Sequence, residues 1–196
     1  MTIGDRGVGV GAGTGDRGAH FTRDAALTGV GLMRGRLIED PEDIRRVLAD
    51  TWRVAVLGIK TEQQADQPAF YVPRYLVSAG LDVVPVPVYY PQVTEILGRK
   101  VYRRLSDVPG DVDLVDVFRR PRDIEQHVED ILAKRPKAVW FQSGIRHDAV
   151  AGRLAEAGIS VVQDHCLMVE HRRWIADSGL RIPDSGSRIT RGAPEA

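Results

Sequence analysis

Two clusters of polar and titratable residues follow apolar, β-branched runs in the second half of the chain. The sequence Gln-Ser-Gly-Ile-Arg-His at 142–147 follows the run 138–141, and Asp164-His165-Cys166 follows the run 159–163. Each run has the length of a buried strand. In an open parallel α/β sheet, ligands bind beyond the carboxyl ends of the strands. We therefore expect both clusters to lie beside a ligand site.

Two earlier strands are predicted to end in residues that suit an anion. Gly58-Ile59-Lys60 follows the first of these strands, and Phe118-Arg119-Arg120 follows the other. A glycine lets the backbone approach a ligand closely, and the helix predicted from Ala69 directs free N–H groups towards an anion. Lysine adds a point charge, and arginine forks match phosphate. These residues predict a cleft for a phosphorylated, nucleotide-like ligand, although Arg119 and Arg120 could instead merely cap and solvate a helix start.

A nicotinamide dinucleotide fits these residues less well. Its usual site has three glycines in the first turn and an acidic residue after the second strand. This chain has Gly58 alone, and Pro85-Val86-Pro87 stands where the acid is expected. The glycines of 7–15 follow no apolar strand and therefore do not form that site. An NAD(P)-dependent, oxidoreductase-like enzyme stays the alternative function.

Alternating strands and helices position these clusters. The sequence predicts five strands and five helices, which are strands 53–58, 82–86, 112–118, 138–141 and 159–163, and helices 41–50, 69–79, 122–134, 147–157 and 167–175. Because right-handed crossovers place helices on both faces, this alternation predicts an α/β fold with a doubly wound parallel sheet in three layers. The composition of 1–38 and 176–196 predicts flexible tails around one domain at 39–175.

Composition excludes several other classes. The 27 Lys and Arg balance 27 Asp and Glu, so no net field draws the chain to nucleic acid or an acidic membrane. A single cysteine excludes an internal disulfide, and the five histidines lack the spacing of a zinc site, so we expect no metal. We see neither an apolar run near the ~20 residues of a membrane span nor a secretory signal, and we expect a cytoplasmic protein.

Four ordered motifs resemble a known family, the small stand-alone CoA-binding domain proteins. That family is similar in fold to the CoA-binding domain of the succinyl-CoA synthetase α subunit. The motifs lie at 58–76, 112–121, 139–147 and 164–171, and the resemblance covers about 45–174. It implies a Rossmann-like domain that binds coenzyme A or an acyl-CoA, with no catalytic residues of its own.

The resemblance also implies which residues contact the ligand. They are Gly58, Ile59, Lys60, Arg74, Pro85, Val86, Val117, Phe118, Arg119, Arg120, Ser143, Gly144 and Ile145. Two positions depart from the family's pattern. Pro87-Val88 replaces a common Asn-Pro, which removes an amide for the adenine or ribose and leaves open an interaction domain with a decayed nucleotide site. His165 replaces an arginine and places a group that titrates near neutrality at the rim.

Cys166 has two interpretations. A helix start at Leu167 and the neighbouring His165 and His171 would favour its thiolate, and a mixed disulfide with the thiol of CoA would then form under oxidation. A single buried cysteine, however, usually packs as a small apolar residue. His171, next to Glu170, equally suits a structural hydrogen bond that ties the last helix to the sheet.

Overall fold

Strands and helices alternate along residues 35–179, the part of the chain that the computed structural model describes. In chain order, the elements are β1 (Leu37–Ile38), α1 (Pro41–Ala49), β2 (Arg53–Leu57), α2 (Pro68–Ser78), β3 (Asp82–Val86), β4 (Glu95–Ile96), β5 (Arg99–Lys100), β6 (Leu114–Val117), α3 (Val128–Lys134), β7 (Ala138–Phe141), α4 (Asp148–Glu156), β8 (Ser160–Val162) and α5 (Leu167–Ser178).

Six of these strands form one sheet in the order β1-β8-β7-β6-β2-β3, and every pairing in it is parallel. From β2 the chain first adds β3 on one side and then crosses to add β6 on the other. The strand order therefore reverses between β2 and β6, and a crevice opens at such a switch point beyond the carboxyl ends of the strands.

Two hydrophobic layers cover the faces of the sheet. Val56 and Trp140 face one layer with the apolar sides of α1, α2 and α5. Val117 and Phe141 face the other layer with α3 and α4. All four side chains are fully buried, and burial of a large apolar side chain stabilises a fold by about 1.5–3 kcal/mol. The predicted doubly wound, Rossmann-like α/β fold in three layers is confirmed.

The edges of the domain differ from the sequence prediction. Leu37–Ile38 lies in the stretch predicted as a tail, yet it forms β1 and pairs with Val161 and Val162 of β8. A two-residue strand is too short to produce a periodic signal. Helix α5 continues to Ser178 and ends at Gly179, whose left-handed backbone at φ +66° is a common helix end. The rest of the predicted tails, 1–34 and 180–196, lies outside the described residues.

The segment predicted as a helix at 122–134 is helical only in its second half. Two 3-10 turns, Pro121–Asp123 and Glu125–His127, come first, and α3 begins at Val128. Ile124, Val128 and Ile131 are fully buried. Their spacing suits the buried face of a helix, so periodicity did not distinguish tight turns from an α-helix.

The long connection after β3 contains a short hairpin that the sequence analysis missed. Strands β4 and β5 pair antiparallel around Leu97 and Gly98, which have φ values of +54° and +66°. Two positive φ angles are typical of the tight turns that join twisted strands. This hairpin directly follows the loop 87–94, which begins at the carboxyl end of β3.

Candidate functional site

The crevice at the switch point is formed by a close backbone contact. Gly58 follows β2 with φ +89°, and a Cβ at this position would lie 2.5 Å from the carbonyl oxygen of Phe118 and 3.1 Å from Cδ of Arg119. The Gly58 N–H donates to the Val86 carbonyl at 2.9 Å, and the Phe118 N–H donates to the Leu57 carbonyl at 2.9 Å. Only glycine allows the ends of β2 and β6 to meet in this way.

Arg119 is the buried cation of this crevice. Its side chain is 7% exposed, and Nη2 lies 3.8 Å from Oδ2 of Asp123. Its Nε is buried and has no hydrogen-bond partner among the described residues. A buried donor without an acceptor costs about 1–3 kcal/mol, so an acceptor is favoured here. Arg119 is therefore buried rather than solvated, and a 3-10 turn, Pro121–Asp123, begins beside it with Arg120 as its N-cap.

Two tyrosines, which the sequence analysis missed, connect the cations on the two sides of the crevice. The Lys60 ammonium lies 3.2 Å from the Tyr90 hydroxyl and 5.3 Å from the centre of the Tyr89 ring. The guanidinium carbon of Arg119 lies 5.4 Å from the centre of the same Tyr89 ring. Cations at such distances are attracted to the ring. The Arg119 guanidinium beside the Tyr89 hydroxyl lowers the Tyr89 pKa.

Hydrogen bonds from Arg103 hold the loop that contains these tyrosines. Arg103 donates to the carbonyls of Tyr90 at 3.1 Å and Pro91 at 2.9 Å, and also to that of Val93. Tyr89 nevertheless stays 56% exposed. An exposed ring held between two cations marks the open side of the crevice. The sequence signal was the pair of tyrosines just after β3, at the edge where parallel strands end.

The turns after β7 and β8 contact each other. The Gly144 N–H donates to Oδ1 of Asp164 at 2.6 Å, and the Ile145 N–H donates to the Gln142 carbonyl at 2.8 Å. His147 caps α4 by accepting from the Val150 N–H at 3.3 Å. Asp164 and His147 thus already have structural hydrogen bonds. A Cβ on Gly144 would meet no atom within 4 Å, so this turn opens onto free space.

The other predicted ligand residues divide into three groups. Ile59, Pro85, Val86 and Val117 have buried side chains, so only their backbone is available to a ligand. Phe118 is half-buried, and Arg120 and Ser143 are exposed at the strand ends. Arg74 is exposed and lines a groove between α2 and α5 together with Tyr75 and Arg172.

A buried carboxyl group, which the sequence analysis did not single out, lies beneath the crevice. Asp116 of β6 is completely buried, and its Oδ1 accepts from Nε2 of Gln142 at 2.8 Å. Oε1 of Gln142 in turn accepts from the Leu167 N–H at 3.3 Å. Burial raises the pKa of Asp116 to about 7, against the opposing effect of the Gln142 hydrogen bond. This network links β6, β7 and the start of α5.

The contacts of His171 are with Tyr75, while Cys166 lies at the start of α5. Cys166 is half-buried at the start of α5. Nδ1 of His171 lies 2.9 Å from the Tyr75 hydroxyl of α2, so its partner is Tyr75 and not Glu170. Burial lowers the pKa of His171 to about 4, so it is neutral at pH 7 and does not favour the Cys166 thiolate by its charge. Glu170 instead lies 3.5 Å from Nδ1 of His165.

Within residues 35–179, no three His, Cys, Asp or Glu side chains are grouped so that they could hold a metal ion. No helix in the same range is long and apolar enough to cross a membrane.

The fold agrees with that of known proteins. Residues 53–172 match the model of the CoA binding domain family, which is more than half of the chain, so the chain belongs to that family.

Its relatives include proteins from bacteria and archaea. The chain is 30% identical over 129 residues to the uncharacterized protein YneT of Bacillus subtilis (strain 168). The aligned residues make up 66% of this chain and 92% of YneT. A solved structure from Thermus thermophilus is 42% identical with a TM-score of 0.63 and covers 69% of this chain and 99% of its own. A hypothetical protein from Pyrococcus horikoshii OT3 is 34% identical with a TM-score of 0.63, and covers 70% and 93%.

Proposed function

We propose that the chain binds coenzyme A or an acyl-CoA in the crevice between β2 and β6. Family membership supports CoA as the ligand class. The observation that carries the assignment to this crevice is Arg119, which is 7% exposed and has a buried Nε without a partner among the described residues. We propose that a phosphate oxygen is the further acceptor for this guanidinium, beside Asp123 and Tyr89.

The diphosphate of CoA suits the remaining groups of the crevice. Gly58 has no side chain, so the Phe118 carbonyl can occupy the place of its Cβ, and the ends of β2 and β6 bring Lys60 and Arg119 to one edge of the sheet. Lys60 adds a second cation, which is half-buried beside Tyr90. The two cations come from opposite sides of the switch point and are both linked to Tyr89. They would contact one diphosphate beside the Tyr89 ring.

The thiol-bearing arm of CoA would run along the carboxyl ends of β6 and β7. The turn at Ser143, Gly144 and Ile145 follows β7, and it is open at Gly144. An extended arm that leaves Arg119 in this direction meets this turn before it reaches β8. We propose that the turn contacts the arm through its backbone.

A nicotinamide dinucleotide is less well supported. Its ribose is usually held by an acidic side chain after the second strand. Here that strand is β3, and no acidic residue occurs between positions 83 and 94. Tyr89 and Tyr90 stand in this stretch instead.

Isothermal titration calorimetry of Arg119→Gln and Lys60→Gln with CoA tests the proposal. A charge-assisted hydrogen bond is worth about 1.5–3 kcal/mol, so Arg119→Gln is expected to weaken CoA binding by roughly 10- to 150-fold. Lys60→Gln, which loses a half-buried point charge, is expected to weaken it less. Thermal unfolding of each variant shows whether it is folded, since Arg119 is buried and also contacts Tyr89 and Asp123.

Arg122→Gln is the matched control. Arg122 follows the same strand and is 75% exposed, and its Nε lies 3.9 Å from Asp123. Its replacement removes one cation from the same surface and should leave CoA affinity within about twofold, as expected for a screened surface charge. Full affinity in a folded Arg119→Gln protein, or an equal loss in Arg122→Gln, would refute the assignment to this crevice.

A further inference from the structure

A groove between α2 and α5 lies apart from the crevice. Its volume is about 440 Å³, and its walls include Tyr71, Arg74, Tyr75, Met168 and Arg172. Pockets of about 300–1,000 Å³ with apolar or aromatic walls and a few polar groups are typical of small-molecule sites. No crevice residue lines this groove, and no acidic side chain does.

The groove contains two arginines that pair with no carboxylate in the described part of the chain. Other arginines near α5 do form ion pairs: Arg173 of α5 lies 3.1 Å from Glu170, and Arg45 of α1 lies 2.8 Å from Asp177 of α5. The guanidinium carbon of Arg172 instead lies 4.7 Å from the centre of the Tyr75 ring, and that of Arg74 lies 5.8 Å from the ring of Phe70. The groove therefore has an uncompensated positive charge.

Arg172 is exposed, but the Tyr75 ring on which its guanidinium lies is positioned by buried contacts. His171 is 2% exposed, and its Nδ1 lies 2.9 Å from the Tyr75 hydroxyl. The His171 ring also packs edge-on against Trp174, with centroids 5.4 Å apart. These contacts fix the orientation of Tyr75, whose ring carries Arg172. A binding site is preorganised when the groups that contact a ligand are oriented by buried hydrogen bonds behind them.

We propose that the α2–α5 groove binds an organic oxyanion, a carboxylate or phosphate on an aromatic or branched apolar body. Arg172 and Arg74 supply the positive charge for the oxyanion, because guanidinium forks match both anions. Tyr71, Tyr75 and Met168 supply walls for the apolar body. The site is separate from the CoA crevice, and Arg74 belongs to it rather than to CoA.

Titration of the isotope-labelled full chain, followed by NMR, tests this site with three probes. Phenylacetate and phenyl phosphate carry the two oxyanions, and benzyl alcohol has the apolar ring without the charge. Both anions, or one of them, should shift the signals of Tyr71, Tyr75 and Met168 saturably, and the alcohol should not. The anion that binds more tightly identifies the oxyanion that the groove prefers.

Arg172→Gln and Arg173→Gln form a matched pair of variants. They remove adjacent cations of one helix, but only Arg172 lies in the groove and lacks a carboxylate partner. Arg172→Gln should weaken binding of the preferred anion about tenfold or more, whereas Arg173→Gln should not change it. Tyr75→Phe keeps the ring but loses the bond to His171, and it should weaken binding to an intermediate degree.

Three results of the probe titrations would overturn the proposal. They are the absence of a saturable shift with either anion, an equal loss of affinity in the two arginine variants, and anion-induced shifts confined to the surroundings of Gly58 and Arg119. Because the probes contain no CoA, these results are independent of whether the crevice binds CoA. Shifts of the groove signals on addition of CoA alone would also overturn it, since the groove would then be part of the CoA site.

Discussion

Replacement of Asp116 by asparagine should change how the stability of the domain depends on pH. Asp116 is completely buried in the central strand β6, and one of its carboxyl oxygens has no hydrogen-bond partner among the described residues. The asparagine side chain has nearly the same shape as the aspartate side chain, and its amide oxygen can still accept from Gln142. The substitution therefore removes the titration and leaves the packing intact.

The magnitude follows from the raised pKa of Asp116. Burial raises this pKa from 3.8 to about 7, so the folded protein binds one more proton than the unfolded chain between these pH values. The contribution of Asp116 to the free energy of unfolding therefore falls as pH rises from about 4 to 7, by about 4 kcal/mol at 1.36 kcal/mol per pKa unit. The amide leaves N–H groups without an acceptor, at a cost of about 1–3 kcal/mol. Asp116→Asn should therefore be more stable than the parent by about 1–3 kcal/mol at pH 8, with no gain at pH 5.

Urea unfolding of parent and variant at pH 5, 6, 7 and 8 measures this difference. Asp113→Asn, just before β6, is the control with the opposite sign. Burial opposes its ionisation, but hydrogen bonds from Lys137 and from the N–H groups of Arg53 and Trp52 outweigh it and keep the Asp113 pKa below 3.8. The stability that Asp113 supplies is present above pH 4 and is lost in acid, so Asp113→Asn should be less stable than the parent at pH 7. A difference between Asp116→Asn and the parent that does not change with pH would refute the reasoning.

Three further substitutions or treatments test other parts of the structure. Gly58→Ala should lose about 1–2 kcal/mol or more of stability and most CoA affinity, because its backbone is left-handed and its Cβ would overlap the Phe118 carbonyl; calorimetry and thermal unfolding check both. The parent protein should lose about 3 kcal/mol of unfolding free energy as pH falls from 6.5 to 4, since the folded-state pKa of His171 is lowered to about 4. His171→Gln should not show this loss. Equal acid sensitivity of parent and variant in urea unfolding would contradict this. Incubation with CoA disulfide should add one CoA to Cys166, as intact-mass measurement would show, and no adduct on the parent protein would leave Cys166 as a packing residue.

The sequence predicted the architecture because the main strands are long apolar runs separated by helices with clear ends. Strands β3 and β7 occur at the predicted residues. The two-residue strand β1 could not be predicted, since its register depends on β8, a distant part of the chain. The turns before α3 have the same apolar spacing as a helix. Local patterns therefore identified the layers but not the short elements at their edges.

Site residues that directly follow the end of a strand could be predicted from the sequence. Gly58 and Arg119 follow strand ends, and parallel strands end at one edge of a sheet. The roles of Tyr89 and Asp116 depend on tertiary contacts instead. Tyr89 is a loop residue whose distance to Lys60 and Arg119 is set by the path of the chain, and Asp116 is buried only because β6 lies in the middle of the sheet. No local pattern contains this information.

Calorimetric titration of the full chain with CoA, ADP, NAD⁺ and NADP⁺ in one buffer measures directly whether the chain prefers CoA. We expect saturable binding of CoA at one site, more tightly than ADP, NAD⁺ or NADP⁺. Tighter binding of NAD⁺ or NADP⁺ than of CoA, or no binding of CoA by the folded protein, would contradict it.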